Sequence, residues 1–184
     1  MSRLLLHICC APCLCHPYRV LSAENIDFTG FWYNPNIHPY REYQARLQSV
    51  KDFARVHKMP ALFLDDYPLE QALDLVSRER CNGCYRLRLE ETARQAKAQG
   101  FQAFSSTLLY SIYQKHDLIL ELGTEIGKKH GVEFFYRDFR TGWEEGRRMA
   151  REQGLYRQKY CGCIFSERDR YLKSQKSKIK NQKQ

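Results

Sequence analysis

Arg3-Leu4-Leu5-Leu6-His7-Ile8-Cys9-Cys10-Ala11-Pro12-Cys13 decides how this chain folds. An apolar run bounded by a cysteine pair reads as a short buried strand that delivers its last residues to a loop. A helix follows it to about Ala23, with Pro12 or Pro17 in its first turn, where a missing N–H costs nothing. The alternation then repeats down the chain. Strands are predicted at Phe28–Tyr33, Ala61–Leu64, Phe101–Ser105 and Val132–Tyr136. Helices are predicted at Pro39–His57, Leu69–Val76, Tyr85–Ala98, Gln114–His130 and Trp143–Gln153. Cys81-Asn82-Gly83-Cys84 reads as a loop before the Tyr85 helix, and Ser166 as the cap of a last helix. Strands alternating with helices predict an α/β fold, a parallel sheet sandwiched by helices. Ligands of such sheets bind beyond the carboxyl ends of the strands, where Cys9, Asn34, Asp65, Asp66, Ser106 and Asp138 fall.

Seven of the eight cysteines form three clusters: Cys9-Cys10-x-x-Cys13, Cys81-x-x-Cys84 and Cys161-x-Cys163. Four thiolates satisfy a structural zinc, so seven exceed the need of one such ion. On an extended backbone the Cys9 and Cys10 side chains point apart, which suits two neighbouring metals better than one. Gly162 lets the backbone approach a bulky cofactor. The set therefore predicts an iron–sulfur cluster beside a second metal or a redox thiol pair. Cys15 lies outside the shared spacing and is expected to pack as a small hydrophobe.

The 184 residues and 43% hydrophobic content fit one compact domain, residues 1–172. Residues 173–184 carry five lysines and no acid, a basic tail expected to be disordered. Net charge is +9, of which about +4 belongs to residues 1–172, so a polyanion such as nucleic acid is a plausible partner. No apolar run is long enough to cross a membrane. Arg3 and the three leucines are too short for a signal peptide. A cytoplasmic location is expected, where clustered cysteines mean metal or redox chemistry rather than disulfides.

Taken together, the motifs resemble the QueH-type epoxyqueuosine reductases from Leu4 to about Arg170. They run from Leu6-His7-Ile8-Cys9-Cys10-Ala11-Pro12-Cys13 through Tyr33-Asn34-Pro35-Asn36-Ile37-His38-Pro39, Glu42-Tyr43 and Arg46. They continue with Asp66-Tyr67, Arg80-Cys81-Asn82-Gly83-Cys84-Tyr85-Arg86, Arg88-Leu89 and Ser111-Ile112-Tyr113-Gln114-Lys115-His116. They close with Asp138-Phe139-Arg140, Leu155-Tyr156-Arg157-Gln158-Lys159-Tyr160-Cys161-Gly162-Cys163 and Phe165-Ser166. The resemblance implies a HUP-like fold and reduction of epoxyqueuosine to queuosine in tRNA with a GUN-type anticodon, the last step of queuosine formation. It implies a [4Fe–4S] cluster and an adjacent mononuclear metal, iron, without cobalamin, and an electron donor that the sequence does not identify. Some members resembling this chain carry an aspartate where Cys13 stands, so a thiolate here takes the place of a carboxylate.

On that reading, Cys10, Cys81, Cys84 and Cys163 are expected to hold the cluster, and Cys9, Cys13 and Cys161 the second metal. Asp138, His116 and Tyr113 are candidate proton donors, although Asp138 equally suits an ion pair with Arg140 and His116 a structural role. His38 could contact nucleotide or Glu42. Trp32, Tyr33, Tyr113, Tyr156 or Tyr160 could stack on an unpaired base. Arg147, Arg148, Arg151, Arg157 and Lys159 form a basic patch suited to phosphates, or a solvated face. Three other readings stand beside this one. A zinc-stabilised RNA-binding module wastes three thiols. A related ATP-dependent tRNA thiolase would want a glycine-rich phosphate loop where the chain has Cys-Cys-Ala-Pro-Cys. A thiol–disulfide oxidoreductase would use Cys81 and Cys84.

Overall fold

The computed structural model describes residues 3–181, with side chains described for 3–172. Five strands form one wholly parallel sheet: β1 (Leu4–His7), β2 (Phe28–Trp32), β3 (Ala61–Phe63), β4 (Ala103–Ser106) and β5 (Glu133–Phe134), in the order β3-β2-β1-β4-β5. The helices are α1 (Ala11–Ala23), α2 (Tyr40–Val56), α3 (Leu69–Glu79), α4 (Cys81–Ala98), α5 (His116–His130), α6 (Trp143–Glu152) and α7 (Ile164–Asn181). The tail expected to be disordered lies outside the described residues in its side chains and, from residue 182, altogether.

Leu4, Leu5, Leu6 and Ile8 are buried, as a central parallel strand covered on both faces requires. Helix α1 packs against α2 and α6, and α4 against α3 and α5, so two helical layers sandwich the sheet. The expected α/β architecture is present, with every predicted strand in place. The edge strands are shorter than predicted: Tyr136 is exposed, and β5 pairs with β4 through only Ala103↔Glu133 and Phe104↔Phe134.

Two local readings are corrected. Cys81–Cys84 is not a loop but the first turn of α4. Arg80, at φ +55°, makes a sharp corner between α3 and α4, and the Cys84 N–H already donates to the Arg80 carbonyl at 3.1 Å. Ser166 does not cap α7; its hydroxyl sits inside the first turn and accepts from the Cys161 N–H at 3.4 Å. In α1, Pro12 sits at the start as predicted, while Pro17 falls inside the helix and leaves the Cys13 carbonyl without its usual donor.

Helix α5 sits against the sheet through glycines one turn apart. A Cβ on Gly127 would lie 2.7 Å from the Val132 carbonyl oxygen and 3.3 Å from the Phe134 nitrogen, both backbone atoms that cannot swing away. Gly127→Ala is expected to cost about 1–3 kcal/mol by overpacking, read as a lower urea midpoint with an unchanged slope.

Candidate metal centre

The strand order reverses between β1 and β4, and the crevice of a parallel sheet opens at such a switch point. Cys9 and Cys10 follow β1 there, and Thr107 follows β4. The Thr107 hydroxyl accepts from the Cys9 N–H at 3.0 Å and lies 3.3 Å from the Cys9 sulfur. One turn into α1, Cys13 returns to the same spot. The sulfurs of Cys9, Cys10 and Cys13 all lie within 4.8 Å of one another, close enough to close on a single ion. Contacts from Cys10, Cys13 and Thr107 hold the Cys9 thiol well below its ordinary range, while its neighbours push Cys13 up and burial pushes Cys10 up. Gln158 donates from Nε2 to the Cys10 sulfur at 2.8 Å.

The other four thiols are not drawn to metal-ligand distance as the first three are, but they interact electrostatically through Cys84. Cys84, buried under α4, feels the charges of Cys81, Cys161 and Cys163, and burial pushes its thiol up to about 11. Between the groups lies Arg88, one turn after Cys84. Its Nη2 reaches the Cys84 sulfur at 3.0 Å, its Nε the Cys84 carbonyl at 3.0 Å, and it interacts with Cys9 and Cys161 as well. Arg88 thus feels cysteines of all three segments, which lie far apart in sequence. Cys10 lies with Cys9 and Cys13, Cys10 immediately before α1 and Cys13 in its first turn, while Cys84 interacts with Cys81, Cys161 and Cys163.

That last loop is held from beneath by Arg46, which is 1% exposed. Its guanidinium donates to Glu42 at 2.7 Å and to the carbonyls of Tyr160 and Cys161 at 3.1 Å each. The Gly162 carbonyl accepts from the His38 N–H at 2.8 Å, the Tyr160 hydroxyl donates to the His38 carbonyl, and the Tyr156 hydroxyl to Glu42. Gly162 takes φ +115°, and a Cβ there would sit 2.9 Å from Ile37 Cγ1, so both conformation and space demand glycine.

A family model described as epoxyqueuosine reductase QueH matches residues 4–169. The chain belongs to the QueH family. Similar curated QueH proteins include that of Dehalococcoides mccartyi, 34% identical over 93% of this chain and 96% of the relative. The QueH of Thermotoga maritima is 35% identical over 90% of this chain and 91% of its own. Helicobacter pylori QueH is 37% identical, but the match spans only 49% of that longer protein. Among solved structures, the U34-tRNA thiolase NcsA from Methanococcus maripaludis, solved with its [4Fe–4S] cluster, aligns with TM-score 0.61 at 14% identity, over 90% of this chain and 61% of that one. That likeness establishes a shared fold, the HUP-like sheet this QueH chain was expected to have.

The remaining predicted residues divide. Asp138 accepts from Arg140 Nε at 2.8 Å and Nη2 at 2.6 Å, and this pairing drops its carboxyl to about 2. The ion pair with Arg140, the alternative role foreseen for it, is present. His116 is buried at the start of α5 with neither ring nitrogen engaged by a side chain, and burial lowers its pKa. Tyr113 is 78% exposed and meets Trp143 edge-on at 5.6 Å. His38 does not contact Glu42; its Nδ1 bonds the Tyr67 hydroxyl at 2.7 Å. Trp32 and Tyr33 are buried and cannot stack on a substrate. Arg147 and Arg148 pair along α6 with Glu144 and Glu152, whereas Arg157 and Lys159 are exposed with no ion pair among the described residues.

Arg88, Gln158 and Thr107 went unassigned in the sequence. Arg88 falls four residues after Cys84, on its face of α4, a relation hidden while Cys84 reads as loop. Gln158 and Thr107 carried no signal, because their partners are 148 and 98 residues away. The Arg46 latch makes a direct prediction. Arg46→Met strands Glu42 and frees two carbonyls, and should cost about 3–5 kcal/mol. Arg46→Met with Glu42→Gln should recover part of that loss in a double-mutant cycle on the urea midpoints.

Proposed function

We propose that this protein is an epoxyqueuosine reductase acting on tRNA, an oxidoreductase that converts the epoxide of epoxyqueuosine in the anticodon loop to the alkene of queuosine. The observation that carries the proposal is the convergence of two thiol groups on the switch-point crevice of a chain that matches QueH along nearly its whole length. The donor set suits metal: among the described residues, three sulfurs lie within reach of one ion, and three more thiols, Cys81, Cys161 and Cys163, act on Cys84. We assign Cys81, Cys84, Cys161 and Cys163 to a [4Fe–4S] cluster, which takes four thiolates. Cys9, Cys10 and Cys13 would then hold a second metal, iron. When bound, the cluster would supply electrons singly and the second metal Lewis acidity toward the epoxide oxygen.

The chain's own residues do the rest. Thr107 and Gln158 fix the Cys9 and Cys10 sulfurs. The net change breaks both carbon–oxygen bonds of the epoxide, takes up two electrons and two protons, forms a carbon–carbon double bond and releases water. The electrons come from an external one-electron donor. For the protons, His116 is the group we favour: a buried imidazole whose ring nitrogens have no side-chain partner. Outside the crevice, Tyr113 offers an exposed ring for an unpaired base. Exposed Arg157 and Lys159, beside the last cysteine loop, offer charge for phosphates, with Arg147 and Arg148 released from their glutamates as needed. The partner is tRNA with a GUN-type anticodon. No helix among the described residues is long and apolar enough to cross a membrane, and we place the protein in the cytoplasm, as one domain over residues 1–172.

Protein purified without oxygen should contain about four to five irons and roughly four acid-labile sulfides per chain. Cys81→Ala should lose both the cluster and reduction of epoxyqueuosine-containing tRNA. One zinc without sulfide, or a reductase that survives cluster loss, would sink the proposal. Tyr113→Ala should raise KM for the tRNA about tenfold through lost base stacking, with kcat retained, and Tyr113→Phe should behave like the parent. A fall in kcat with Tyr113→Phe would instead return Tyr113 to proton transfer.

A further inference from the structure

Two arginines of this protein are almost fully buried, and they are solved differently. Arg46 is 1% exposed and has the carboxylate of Glu42 against it. Arg88 is 3% exposed and forms no ion pair with any carboxylate among the described residues. Its polar partners are the Cys84 carbonyl and the Cys84 sulfur, and the groups that stabilise its charge are Cys84, Cys9, Tyr85 and Cys161. A guanidinium does not deprotonate in a protein. Burying one without an anion is costly enough that natural proteins pair it. The anion must therefore be something other than a side-chain carboxylate, and every candidate around Arg88 is a cysteine of the metal centre or a tyrosine hydroxyl.

We infer that Arg88 is the counter-cation of the thiolate–metal centre, a positioning residue that sets the cluster's reduction potential by donating to the Cys84 sulfur. This rests on the reading that the cysteines hold metal. Thiolate ligation brings net negative charge into the pocket, and the buried guanidinium beside Cys84 is there to receive it. A fixed positive charge beside the cluster favours the reduced, more negative state, because charge and hydrogen bonds at the sulfurs set the potential.

The test compares parent, Arg88→Met and Arg88→Lys, each iron-reconstituted, with iron and sulfide counted per chain. Arg88→Met should shift the cluster's reduction equilibrium at least about tenfold toward the oxidised form, or about 59 mV more negative for a one-electron couple. Arg88→Lys should keep the parent's potential more nearly. An unchanged or more positive potential in fully loaded Arg88→Met, or an Arg88→Lys potential no nearer the parent's than that of Arg88→Met, overturns the inference. A parent that binds no metal would instead remove the underlying reading, and the iron count separates the two failures.

Discussion

The parallel pairing of β1 with β4 sets Cys9 beside Thr107, and the metal centre is built outward from that contact. The register Leu4↔Ala103 through His7↔Ser106 places the two strand ends level. His7 locks that end: its Nδ1 lies 2.8 Å from the Ser106 hydroxyl and its Nε2 3.2 Å from the Tyr33 carbonyl. Burial, with Arg88 nearby, holds the His7 imidazole down at about 4, so it acts as a neutral spacer rather than another cation. Asn34 ties the neighbouring strand end to the Ile8 carbonyl at 2.8 Å. A one-residue slip would put the leucines and His7 on the wrong faces, and Cys9 would leave the crevice.

Two of the three cysteine segments inherit their positions from helices, and the third does not. Cys10 and Cys13 flank the start of α1, and Cys81 and Cys84 occupy the first turn of α4, so helix geometry spaces them. Cys161 and Cys163 lie in a loop between α6 and α7. A loop holds a ligand in place only if something rigid grips its backbone. Here that grip is Arg46, anchored on α2 by Glu42 and donating to two successive carbonyls, with the His38 N–H taking a third. The buried ion pair acts on where the loop sits rather than on the sulfurs themselves.

The architecture was legible because buried parallel strands are near-continuous apolar runs and their connections alternate regularly. The seven thiols were legible because their spacing fits no single tetrahedral ion. Their grouping was not, since it depends on the backbone between them. Arg80 turns the chain by adopting a positive φ, which an arginine does not advertise, and the Cys81–Cys84 stretch, with Asn82-Gly83 at its centre, reads as a turn although it packs as helix. Gly83 is there for space: a Cβ would meet Leu75 of α3 at 2.9 Å. The Asp138 ion pair was legible from its spacing to Arg140, but its bidentate geometry depends on the 3-10 turn at Phe139–Gly142 that its own carboxylate caps.

The contrast between the two buried arginines explains why the centre has the polarity it has. Arg46 is neutralised within the protein and so is indifferent to metal. Arg88 is left to the sulfurs. Thr107, Gln158 and Arg88 each direct a donor at a different thiol, Cys9, Cys10 and Cys84, so both groups are met by donors rather than by acids. Among the described residues the only set of three or more clustered metal-type ligands is the cysteine triad. Hard cations prefer oxygen and soft ones sulfur, so a site lined by thiols and hydrogen-bond donors suits a thiophilic metal and disfavours magnesium. Placing it at the crevice where related sheets cradle anionic ligands means that one topology serves both uses. What changes is only whether the loop after β1 offers backbone N–H groups to a phosphate or sulfurs to a metal.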